Sequence, residues 1–168
     1  MPPCAPWTMQ EFDSNIHQLT IDLPSRASEF RILLVSDLHW DNPHCDRKLL
    51  AKHLDQAVAC GAPILSVGDL YCVMQGKYDK RSDKSSVRPE HQHGDYLDRL
   101  VNTAVEWFTP YKNNLILLGE GNHESGCSNR CETRLLDRLA YGLRERGGLT
   151  RTGGYAGWLR LQVRRGGV

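Results

Sequence analysis

Leu115-Ile-Leu-Leu-Gly-Glu-Gly121-Asn122-His123-Glu124 begins as an unbroken apolar run and ends in a carboxamide, an imidazole and a carboxylate. An apolar run of this length predicts a strand covered on both faces, as in a parallel sheet. The same design occurs twice upstream. Ile64-Leu-Ser-Val-Gly68-Asp69 and Ile32-Leu-Leu-Val-Ser-Asp37-Leu-His39 each place metal-binding side chains just past the apolar residues. A buried strand is a rigid platform, so polar groups at several strand tips can converge on a point that no local segment could build.

Helical patterns separate these runs. Asp46 to Cys60 carries a stripe of Leu49, Leu50, Leu54, Ala57 and Val58, stopped by Gly61. Leu97, Leu100, Val101, Ala104, Val105 and Phe108 follow a regular three-four spacing, and a third helix is predicted over Glu132 to Arg146, ended by Gly147-Gly148. Strands are predicted over Phe30 to Ser36, Pro63 to Val67 and Leu115 to Leu118. The alternating Leu159, Leu161 and Val163 read as a one-faced strand. Strand and helix alternate, which implies an α/β fold with a largely parallel sheet and right-handed crossovers. Ligands in such sheets gather beyond the carboxyl ends of the strands, where all three polar clusters lie.

Outside this frame, residues 1–15 read as a loose polar lead-in and 16–168 as the domain. Leu19, Ile21 and Leu23 alternate with polar residues, as in a half-exposed edge strand. The polar stretch from Tyr71 to Gly94 is too long for a mere connection.

The totals bound the class. A chain of 168 residues suits one domain, and 40% apolar with 24% charged residues is ordinary for a globular protein. A formal charge of +1 gives no bulk attraction to nucleic acid or to an anionic membrane. No stretch approaches ~18 consecutive apolar residues. Met1-Pro-Pro-Cys-Ala-Pro lacks the basic and apolar regions of a signal peptide, so a cytoplasmic location is expected. The six scattered cysteines then read as thiols of a reducing compartment, and Cys127-x-x-x-Cys131 has no second pair to complete a zinc site. There is no P-loop and no Gly-x-Ser-x-Gly.

Each polar cluster has an ordinary reading beside the chemical one. Asp37 and His39 can chelate one ion, or cap a turn and occupy a loop. Asp69 can bridge two cations, or serve a Gly-Asp turn. In Gly121-Asn122-His123-Glu124, Asn122 offers a neutral oxygen ligand and His123 an imidazole suited to protonating a leaving group. The same residues could simply start a helix, with Glu124 near its positive end. Three such clusters at three successive strand ends favour the chemical reading.

Asp37-Leu-His39, Gly68-Asp69 and Gly121-Asn122-His123-Glu124 resemble, in order and spacing, the first three motifs of the calcineurin-like metallophosphoesterases. The resemblance spans about Arg31 to Glu124, and Met74 to His91 is similar to phage-type members. It implies an αββα sandwich, of which this chain supplies the first sheet with its helices and the start of the second. It also implies hydrolysis of phosphate mono- or diesters at a dinuclear centre of two divalent metal ions, Mn²⁺ first, with Zn²⁺, Fe or Mg²⁺ as alternatives. Asp37 and His39 would hold one metal, Asp69 would bridge, Asn122 would hold the other, and His123 would be the general acid.

The loop residues Lys77, Arg81, Arg88 and His91 are candidate substrate contacts, or members of a solvated charged loop. A nucleotide, a nucleic acid and a phosphoprotein are not distinguished as substrates. Two departures stand out. Cys72 occupies a position where many members carry Asp, and is expected outside the ligand set. The later histidines of the family, ending in Gly-His-x-His, have no counterpart after His123. The second sheet is therefore expected to lack partners, leaving an apolar surface for association. The alternative function is a truncated, inactive phosphoesterase-like module that binds a partner.

Overall fold

The computed structural model describes residues 6–25, 29–73 and 87–165. Four strands form one parallel sheet: β3 (Leu33–Val35), β4 (Ile64–Val67), β5 (Leu115–Gly119) and β6 (Arg151–Gly154), side by side in chain order. Helix α1 (Arg47–Cys60) joins β3 to β4, and α2 (Tyr96–Phe108) precedes β5. Helices α3 (Asn122–Cys131) and α4 (Leu135–Glu145) lie between β5 and β6. Strands laid down in order with right-handed crossovers put their connecting helices on one face. That face holds the main core. Leu54 from α1, Leu100, Ala104 and Phe108 from α2, and Leu139 and Leu143 from α4 pack on Ile64, Leu115 and Leu118.

Local signals set the helix ends. The Asp46 carboxylate accepts the Leu49 amide at the start of α1, and Gly61 at φ 71° closes its other end. The helix expected over Glu132 to Arg146 is α4, and α3 is a further helix ahead of it. Glu132, at φ 52°, caps α3 in the left-handed region, and α4 begins afresh at Leu135.

The opposite face of the sheet meets a second, three-stranded sheet in the order β1-β2-β7. Here β1 (Trp7–Asp13) and β2 (Ile16–Leu23) form an antiparallel hairpin, and β7 (Trp158–Arg165) lies parallel to β2. Leu19 and Ile21 close onto Leu65, Ile116 and Leu117, with Trp7, Met9 and Leu159 at the margin. The layers are thus helices, sheet, sheet.

This sheet corrects three expectations. The loose lead-in over residues 1–15 contains β1, whose Trp7 and Met9 turn inward while Thr8 and Gln10 stay on the other face. The strand through Leu19 is central, not an edge, because β1 and β7 flank it and bury His17 to Ile21. The strand through Leu161 does not lack partners, since β2 pairs with it along Trp158 to Arg165. Among the described residues β7 is an edge strand, and it leaves Trp158 77%, Leu161 52% and Val163 54% exposed. Among the same residues, no helix is long and apolar enough to cross a membrane.

Candidate metal centre

Regular β3 stops at Val35, but the chain keeps pairing with the extension of β4. The amides of Asp37, His39 and Trp40 donate to the carbonyls of Gly68, Asp69 and Leu70 at 3.0, 3.0 and 2.7 Å. Two irregular strand ends thus run together beyond the sheet. Asp37, His39 and Asp69 all adopt positive φ there, at 52°, 42° and 50°. For non-glycine residues this region costs about 1–3 kcal/mol each, and such strain persists only where the surroundings over-determine it. The result is convergence: one ligand atom from each of Asp37, His39 and Asp69 lies within 4.8 Å of the others.

The turn after β5 locks onto this pair of ends. A side chain at Gly121 would overlap the Asp69 carboxylate and amide, and one at Gly68 (φ 119°) would come within 3.3 Å of the Gly121 backbone. Only facing glycines let the two loops approach this closely. The His123 amide then donates to Asp69 Oδ1 at 3.0 Å, which orients the carboxylate.

Glu124, 1% exposed, accepts the amides of Asp69, Tyr71 and Gly121 at 3.2, 2.8 and 2.9 Å. Burial pushes its carboxyl up from its ordinary value, against the pull of the Tyr71 and Gly121 amides. Asp41, also buried, accepts the amides of Cys72 and Val73 at 2.5 and 3.0 Å and the Tyr96 hydroxyl at 3.0 Å. These two carboxylates tie the β3 and β4 ends to each other and to α3.

His123 Nδ1 lies 2.6 Å from the Cys72 carbonyl. A carbonyl only accepts, so Nδ1 carries the proton and Nε2 is left to hold a proton or a ligand. The His123 and His39 rings meet edge to face, 4.7 Å between centroids. His39 Nδ1 is buried without a hydrogen-bond partner among the described residues, the condition of a nitrogen awaiting a ligand. The residues therefore fit a metal. Asp37, His39, Cys72 and His123 line an open cavity of about 860 Å³, which His44, Cys45 and, from α1, His53 also line. Burial also pushes the Cys45 thiol up.

The candidate residues separate as follows. Asp37, His39 and Asp69 come together, with His123 beside them. Asn122 is exposed at the first position of α3, next to the Gly121–Asp69 contact. Lys77 and Arg81 lie outside the described residues. Arg88 spends its guanidinium on the carbonyls of Asn42 and Cys45, at 3.1 and 3.0 Å. The reading of His91 as a substrate contact is corrected: it is 1% exposed, beside Trp40, with Nε2 2.8 Å from Thr103 Oγ1.

Three residues gain roles that the motifs did not signal. Asp41 and Glu124 are buried carboxylate clamps. Cys72, expected outside the ligand set, brings its sulfur within 4.8 Å of ring nitrogens of His39 and His123. In comparisons with protein-family models, curated proteins and solved structures, nothing matches this chain.

Proposed function

We propose that this chain is a calcineurin-like metallophosphoesterase domain that hydrolyses phosphate mono- or diesters with two divalent cations. One observation carries the reading: Asp37, His39 and Asp69 converge within 4.8 Å at adjacent strand ends, each in left-handed backbone. A structural turn has no need of three strained ligand-type residues aimed at one point. Bound divalent cations a few ångströms apart would polarise the phosphoryl group and make a hydroxide-like nucleophile from water near neutral pH.

The chain's own residues have separable tasks. Asp37 and His39 would hold one cation. Asp69, its carboxylate held by the His123 amide, would serve both cations. Asn122 would offer a neutral oxygen to the second. His123, anchored through Nδ1 on the Cys72 carbonyl, offers a proton at Nε2 to the leaving oxygen. The Glu124 and Asp41 clamps keep the strained ends from relaxing.

Hydrolysis of an aryl phosphate monoester and diester with added Mn²⁺ tests this. Asp69→Ala is expected to reduce turnover to background, and His123→Ala to slow it by ~10²–10⁴. Equal turnover in wild type and Asp69→Ala would overturn the reading. The second reading, an inactive module that binds a partner, draws on exposed Trp158, Leu161 and Val163 along the β7 edge. Absence of turnover with every metal would favour it.

A further inference from the structure

Resting on that metal-dependent reading, we propose that Cys72 is itself a metal ligand. With His39 and His123 it forms a nitrogen–sulfur position, beside the carboxylate position, that takes zinc or another thiophilic divalent cation.

The three ligand atoms lie within 4.8 Å of one another, a separation one small cation can bridge with slight closure. Cys72 is a buried thiol, 5% exposed, and Asn42 Nδ2 donates toward its sulfur at 3.6 Å. The Cys72 carbonyl fixes the His123 tautomer, so the same residue that supplies sulfur also frees Nε2 for ligation. Buried His39 Nδ1, without a partner among the described residues, marks a second nitrogen available for a ligand.

Two histidines and a thiolate with a cavity beyond make the ligand set of an open zinc site. Asp37 and Asp69 supply harder oxygens, which suit manganese or magnesium. The two positions share His39, so they compete. A cation on Cys72 also takes the nitrogen on which His123 would hold its proton. Zinc is therefore expected to inhibit manganese-supported hydrolysis.

The test is Co²⁺ loading of the full chain, followed by absorption spectroscopy. Wild type should show a near-ultraviolet thiolate-to-cobalt band, lost in both Cys72→Ser and Cys72→Ala while Co²⁺ still binds. Bound cobalt without that band in wild type, or a band that survives both variants, would overturn the proposal. If the variants do not fold, zinc-edge X-ray absorption on the wild type decides. One sulfur at about 2.3 Å supports the site, and a shell of nitrogen and oxygen alone removes it. Asp69-dependent hydrolysis without sulfur ligation would remove this inference alone. Sulfur ligation without hydrolysis would support the site and overturn only the phosphoesterase reading.

Discussion

The helix-covered face of the parallel sheet and the carboxyl end of the same sheet are built by opposite rules. On the face, Leu54, Leu100, Phe108 and Leu139 are fully buried apolar groups on regular helices, and nothing in their backbone is strained. At the carboxyl end, Asp37, His39 and Asp69 sit in left-handed backbone, braced by the buried carboxylates Asp41 and Glu124. The face gains free energy by burying apolar area. The end uses part of that gain to hold polar groups where they would not otherwise stay. Substitutions in the two regions should therefore move stability and metal affinity independently.

The largest change in stability is expected on the face. Leu100→Ala leaves a cavity among α2, α4 and the sheet and should lower unfolding free energy by about 2–5 kcal/mol. Manganese affinity at temperatures where the variant is folded should stay that of wild type. Chemical denaturation and a metal titration on the same sample read both quantities. A parallel fall in metal affinity would show that the two regions are not separable.

A smaller effect tests the boundary between them. Burial holds the His91 imidazole below its ordinary value of 6.5. Below that value the unfolded chain takes up a proton before the folded chain does, so stability falls as pH drops from about 6.5 through the lowered folded value. His91→Gln should flatten this part of the stability–pH curve. If the curves of wild type and variant run parallel between pH 7 and 5, burial of His91 is not what sets the acid limb.

The smallest effect should have the opposite sign. Asp37→Gly relieves left-handed strain at an exposed position, which glycine tolerates, and should raise stability by about 0.5–1 kcal/mol while weakening metal binding. Stability lost together with affinity would mean that the Asp37 side chain braces the strand end and outweighs the backbone strain there.

Legibility in the sequence followed the range of the interactions. Leu97, Leu100, Val101, Ala104, Val105 and Phe108 disclosed α2 because helix pairing is local and its period repeats along the chain. The two central strands of the parallel sheet were legible for a similar reason: Ile64–Ser66 and Leu115–Leu118 are buried, so their residues are mostly apolar, whereas β6, Arg151–Gly154, carries no apolar run. The second sheet was not. β2 and β7 pair Leu19 with Leu161 across most of the chain, and no local pattern encodes that register. β1 has just Trp7 and Met9 turned inward, too few apolar positions to stand out from a polar lead-in.

The candidate site divides in the same way. Asp37, His39, Asp69, Asn122 and His123 announce themselves as polar groups directly after apolar runs. Asp41 is two residues past His39 yet acts on the amides of Cys72 and Val73, about thirty residues on, which only folding reveals. Cys72 looked like a substitution at the margin of a motif until the β4 extension carried it against His39 and His123. Glu124 was legible as a helix-start carboxylate, but its link from α3 to Asp69 and Tyr71 was not.

Manganese binding itself tests the central claim most directly, independent of any substrate. Titration of Mn²⁺ followed by electron paramagnetic resonance should show bound metal in wild type and loss of that binding in Asp69→Asn, with the far-ultraviolet circular dichroism of the two proteins unchanged. Equal binding in wild type and Asp69→Asn, or no binding in either, would contradict the assignment of the strained strand ends as a metal centre.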